Sequence, residues 1–157
     1  MREILFRGKR ADNGEWVEGL PIKTYDTEIG KNSVDYANPV PVVLMASGRI
    51  VLECGCDEVP FFNTDEYPIV NPETVGQYTG MTDKNGTKIF EGDIVKHIQK
   101  YEISGEVKSI AVIKWNEAYS CWSVEYTNGR ITAFLGTEYH KLEVIGNVHD
   151  NPELLKE

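Results

Sequence analysis

The sequence predicts a mainly β protein, α+β at most, made of short antiparallel strands. Three observations carry this. Turn dipeptides recur along the chain: Asn13-Gly14, Ser47-Gly48, Asn85-Gly86, Ser104-Gly105 and Asn128-Gly129. Many of the stretches between them alternate apolar and polar residues, the period of a strand with one buried face. No apolar stripe of helical period runs beyond about two turns.

The N-terminal part, residues 1–75, reads as hairpin-rich. Ile4 and Phe6 share one side of an extended segment, Asp12-Asn13-Gly14 turns, and Glu15 to Leu20 returns. This predicts a hairpin over residues 2–22, with Trp16 or Val17 opposite the first apolar row. Residues 25–41 are polar, hold Gly30 and Pro39, and read as a loop. Val42 to Ala46 and Ile50 to Leu52 flank Ser47-Gly48 and predict a second hairpin, buried on both faces. Glu53, Asp57, Glu58, Asp65 and Glu66 form an acidic rim. Asn71-Pro72-Glu73-Thr74 predicts one helical turn, since Asn caps well and Pro suits the first helical position.

Gly76 to Val95 organises the rest of the chain. It reads as strand, tight turn, strand, then a second reversal at Glu91-Gly92-Asp93. Asn85-Gly86 predicts a type I′ turn, in which both central residues need positive φ. Strands are then expected near 93–100, 105–115, 120–126, 130–135 and 142–148. Five short strands at near-regular spacing predict a small barrel or sandwich, with an SH3-like β-barrel over residues 76–150 as the expected form. Val107, Ala111, Ile113 and Trp115 share one face of the second of these strands, and Ile110 and Val112 the other, so it should be central. Residues 151–157 read as a short helix or tail.

Four blocks resemble the YopX family of phage and prophage proteins. They are Phe6-Arg7-Gly8-Lys9-Arg10 with Asn13-Gly14-Glu15-Trp16-Val17; Gln77-Tyr78-Thr79-Gly80; Asp83-Lys84-Asn85-Gly86 with Ile89 to Val95; and Glu143 to Leu155. They stand in the family's order and reach both ends of the chain. Residues 25–67 match nothing in the family's pattern. The resemblance implies a phage-encoded accessory protein in the host cytoplasm, self-assembly, and a β-barrel-like C-terminal part. It offers no catalytic residue to carry over.

Composition narrows the chemistry. A net charge of −9 argues against general polyanion binding, which rests on neutralising phosphates. Three cysteines, an odd number, fit reduced thiols in a cytoplasm. The opening residues carry charges within a short apolar run and do not read as a secretory leader. No window approaches about 18 uninterrupted apolar residues, so no membrane partner is expected. His97, His140 and His149 come with no nucleophile signature, and there is no Gly-x-Ser-x-Gly and no phosphate loop. An enzyme is therefore not expected. Cys54 and Cys56 are two sulfurs where zinc wants four ligands, so neither metal nor cofactor is expected.

Two candidate partner-binding groups remain. The turn of the organising stretch would present Lys84, Asn85 and Lys88, although its Gly and Asp residues are also what turns need. Trp115, Tyr119, Trp122 and Tyr126 lie in one hairpin. Packing between strands is the simpler reading for these rings. The sharper one is an exposed platform of Tyr119, Trp122 and Tyr126 for a protein or for bases. Lys96, Lys100, Lys108 and Lys114 lie nearby, offset in the sequence by Glu91, Asp93, Glu102 and Glu106. The sequence thus points to a non-enzymatic module that binds a host or phage protein or itself, with nucleic acid as the second reading.

Overall fold

The computed structural model describes residues 3–23, 42–45, 68–101, 105–133 and 141–156. The chain divides into two compact units, Ile4–Gly76 and Gln77–Glu157, the second joined by the first three residues. Strand pairing is antiparallel, and the described residues contain no α-helix. The protein is mainly β.

In the first unit, β1 (Phe6–Lys9) pairs with β2 (Trp16–Lys23), which pairs with β3 (Val42–Met45). β3 in turn pairs with β4 (Ile69–Val70). The first hairpin closes as its turn residues dictate: Gly14 takes φ +75°, its N–H donates to the Arg10 carbonyl, and the Arg10 N–H to the Glu15 carbonyl. Val17 stands opposite Gly8, on the Phe6 side, whereas Trp16 stands opposite Lys9. There the Arg7 guanidinium lies 4.7 Å and the Lys9 ammonium 5.6 Å from the Trp16 ring centre. Asn71 caps a 3₁₀ turn, Pro72–Thr74, by accepting from the Glu73 N–H. The Thr74 hydroxyl accepts from the Lys9 N–H at 2.8 Å and donates to the Asn71 carbonyl at 2.7 Å, tying the turn to β1. Of the second hairpin expected from Val42 to Leu52, only the first strand is described, as β3; its turn and second strand, and the acidic rim, lie outside the described residues.

The second unit starts with a hairpin, β5 (Gly76–Thr82) and β6 (Lys88–Phe90). β5 carries an offset between Tyr78 and Thr82, where Gly80 takes φ +82°. The Thr79 hydroxyl donates to the Ile89 carbonyl at 2.8 Å and steadies this bulge. The turn is not the expected type I′: Gly86 has φ +85°, but Asn85 is not in the left-handed region. The Gly86 N–H donates to the Asp83 carbonyl, and the Asp83 carboxylate accepts from the N–H groups of Asn85 and Thr87 at 2.7 and 2.9 Å. That side-chain bridge holds the two central residues in ordinary right-handed geometry and leaves the reversal of hand to Gly86 alone.

Next come β7 (Asp93–Tyr101), β8 (Gly105–Asn116), β9 (Cys121–Tyr126), β10 (Ile131–Ala133) and β11 (Leu142–Asn147). They form one sheet in the order β10-β9-β8-β7-β11, with β8 central. Among the described residues this sheet is open. The expected SH3-like barrel is not closed, because β11 returns to pair with β7 and leaves β10 at the opposite end. One face of the sheet packs beneath the hairpin. Val95, Ala111, Ile113, Trp122, Val124, Tyr126 and Leu142 cluster there with Ile89, and Met81 and Val144 pack at the margin. Full burial of a side chain such as Ile89 contributes about 1.5–3 kcal/mol.

Two turns lock this arrangement. At Gly92 (φ +79°) the N–H donates to the Ile113 carbonyl and the carbonyl accepts from the Val148 N–H. The buried Asp93 carboxylate beside it accepts from the Phe90 N–H at 2.8 Å. At the C-terminal end, Asn147 accepts from the N–H groups of His149 and Asp150. Its amide also donates to the Asp150 carboxylate at 2.9 Å. Gly146 lies so close to Asn151 that an added Cβ would sit 2.5 Å from its Oδ1. A final 3₁₀ turn, Pro152–Leu155, packs against β8.

Candidate partner-binding groove

The aromatic hairpin is mostly interior. Trp122 and Tyr126 are each only 6% exposed, whereas Tyr119, in the turn after β8, is 76% exposed. The period of two puts Trp122, Val124 and Tyr126 on the face that meets the core. Trp122 packs edge-on against Trp115, with ring centres 5.2 Å apart. The Tyr126 hydroxyl and His97 Nδ1 share a 2.5 Å hydrogen bond inside the sheet. These rings therefore do not make the exposed platform. Tyr119 alone of the three faces solvent.

The other three predicted residues separate. Lys84 reaches across to β11, its ammonium 2.9 Å from a Glu143 carboxylate oxygen. Asn85 is exposed, and its N–H is held by Asp83. Lys88 lies 5.7 Å from the Tyr78 ring centre and 3.9 Å from a Glu3 carboxylate oxygen. Of the three, Lys84 is among the described residues that line a cavity.

That cavity is an open groove of about 590 Å³, lined by Lys84, Lys96, Ile98, Glu106, Lys108, Lys141 and Glu143. It occupies the sheet face turned away from the Ile89 cluster. The register builds it. Lys96 and Ile98 alternate on β7 with Val95 and His97, which face the core. Lys108 stands opposite Ile98 on β8, and Glu143 stands opposite Lys96 on β11. The Lys108 ammonium is 3.2 Å from Glu106. Lys84 beside Glu143 holds that carboxyl below the ordinary glutamate range; slight burial opposes this, and Lys96 adds to it. Among the described lining residues four lysines stand against two glutamates, in a chain whose total is −9.

Lys96, Lys108 and Lys141 are functional candidates that charge counting along the sequence passes over. The acids that offset them in sequence do not all do so in space. Asp93 is buried as a turn cap, and Lys114 pairs with Glu125 at 2.5 Å, away from the groove lining. The signal was present as a period of two: Lys96-x-Ile98 and Glu106-x-Lys108 must share faces once Val95 and Ala111 point inward.

The groove's lining, among the described residues, holds no nucleophile beside a base. Among the described residues, no three His, Cys, Asp or Glu side chains gather as a metal site, and no helix is long and apolar enough to cross a membrane. Cys121 is a half-buried free thiol, and Cys54 and Cys56 lie outside the described residues.

The blocks that carry the family resemblance build architecture. Gly80, Asp83, Gly86, Gly92, Asp93, Gly146 and Asn147 shape bulges, caps and close approaches. No curated protein matches the chain. A crystal structure of protein EF1440 from Enterococcus faecalis is similar over 99% of each chain, at 26% identity and a TM-score of 0.47. The family described as YopX protein matches residues 5–156. With that match running over nearly all of the sequence, the chain belongs to the YopX family.

Proposed function

We propose that this is a non-enzymatic accessory protein, encoded by a phage or prophage, that binds another protein in the cytoplasm of its bacterial host. The lysine-lined groove is its contact surface. The observation that carries this is the groove's make-up: charged side chains in exposed or half-exposed pairs over an apolar floor at Ile98, with no group among the described residues poised for covalent or acid–base chemistry. Such a surface suits recognition, where charge complementarity sets specificity and encounter rate. His97, which follows the lining residue Lys96 in sequence, is turned to the core and bonded to Tyr126, which supports the same reading.

The test is a tagged pull-down from phage-carrying cells, with nuclease-treated and untreated halves compared. Wild type runs beside a Lys84→Gln/Lys141→Gln double variant. One host or phage protein retained after nuclease by wild type and lost by the variant is the expected result. Enrichment that disappears with nuclease would give the protein to nucleic acid instead. Recovery of the bait alone would point to self-assembly.

A further inference from the structure

We propose that the groove accepts an extended acidic peptide segment, with carboxylates on every second residue. This rests on the protein-interaction reading above and names the chemistry of the partner.

The spacing argues for an extended chain. Lys96 stands opposite Ile110 and Lys108 opposite Ile98, so the two lysines are diagonal neighbours on the antiparallel pair β7–β8. Diagonal neighbours lie about 7–8 Å apart. Residues i and i+2 of an extended peptide point to one side and lie about 7 Å apart. Two carboxylates at that spacing match the backbone spacing of the two lysines, whose flexible stems can bring the ammonium groups to them. Lys84 and Lys141 supply further positive charge in the same groove. Ile98 lies between, where it can cover the methylene stems of lysine and glutamate alike.

The groove is also arranged for exchange of partners. Lys84 is held by Glu143 and Lys108 by Glu106, both as partly exposed pairs. Such pairs contribute little, about 0–1 kcal/mol, so an incoming carboxylate displaces an internal one at small cost. Glu143 is the internal competitor, since it contacts Lys84 and stands opposite Lys96.

Peptide is favoured over nucleic acid by three observations. Among the described residues no aromatic ring lines the groove, so none of them offers a base a stacking surface there. Glu106 and Glu143 interrupt the lysines, which a continuous phosphate backbone would meet as repulsion. The chain carries −9 overall, so a long polyanion is repelled beyond the groove, whereas a short segment feels only the local field.

The experiment is fluorescence anisotropy with the full chain and a labelled peptide of alternating glutamate and threonine, at about 0.02 M and about 0.3 M salt. Controls are the same peptide with glutamine for glutamate, and an oligothymidylate. Binding should be salt-sensitive and absent for the glutamine peptide. It should weaken about tenfold in Lys96→Gln/Lys108→Gln, persist in Lys96→Arg/Lys108→Arg, and be unchanged in Lys114→Gln. Glu143→Gln, which removes the competitor, should tighten it several-fold. Circular dichroism shows whether each variant keeps its sheet, and the arginine pair keeps the test sound if the glutamine pair unfolds. The proposal is overturned by no binding at low salt, by equal binding of the glutamine peptide, by indifference to the Lys96/Lys108 pair, or by weakening in Glu143→Gln. Tighter, lysine-dependent binding of the oligothymidylate would also overturn it and assign the groove to nucleic acid. Groove-dependent capture of a protein from cells, with no peptide binding, would remove only the acidic-segment chemistry and leave the interaction reading standing.

Discussion

Asp83 holds three backbone N–H groups, from Asn85, Thr87 and Val144, and so joins a turn to a strand distant in sequence. Burial pushes its carboxyl up, but these bonds outweigh that and hold it below the ordinary aspartate range. A lowered value means that the folded protein binds the proton less readily than the unfolded chain does. The contribution is therefore complete above the unfolded value of about 3.9 and is lost as pH falls from there through the folded value. Asp83→Asn should flatten the acid limb of a stability–pH curve in that window, read by denaturant unfolding at stepped pH. Asp83→Ala should cost about 3 kcal/mol at neutral pH in the same measurement, because three donors lose a charged acceptor. Gly146→Ala should cost about 2 kcal/mol, since the new methyl meets Asn151 along its whole short side chain and the Pro152–Leu155 turn must shift. The turn at Asn85-Gly86 was legible as a turn but not in its type. The dipeptide shows which residues tolerate positive φ, not that a carboxylate two residues earlier will bridge the loop.

At the scale of elements, the strands of the second unit were readable because turn residues delimit them and alternation orients them. β8 was legible as central because Ala111 and Ile113 face one way and Ile110 and Val112 the other. Closure was not legible, because strand spacing says nothing about which edge the last strand joins. The same alternation decides the aromatics. Trp122→Ala should lose about 3–5 kcal/mol of stability, as expected for a core ring. Tyr119→Ala should stay within about 0.5 kcal/mol of wild type. Paired thermal melts check both, and a Trp122→Ala protein as stable as wild type would reopen the platform. The groove was half legible. Its lysines could be placed on one face by period, but which acids share that face depends on pairing between β7, β8 and β11.

Across the whole molecule, the −9 total hides a local concentration of lysines, which outnumber glutamates among the groove's described lining residues. Composition argues against a general polyanion binder and could not reveal such a patch. Self-association is expected from open sheet ends. Light scattering over a concentration series should show mass above the monomer, and a constant monomer mass at the highest concentration would remove it. The bond from Val144 to Asp83 spans 61 residues. A ribosome adding about 5–20 residues per second needs about 3–12 s to cover that distance. Throughout this interval the Asp83 turn waits for its third donor, and β7, once made, lacks β11 on one edge for the rest of it. Synthesis of this chain therefore includes a period of seconds in which a strand edge, later sealed, stands open to any neighbouring nascent chain.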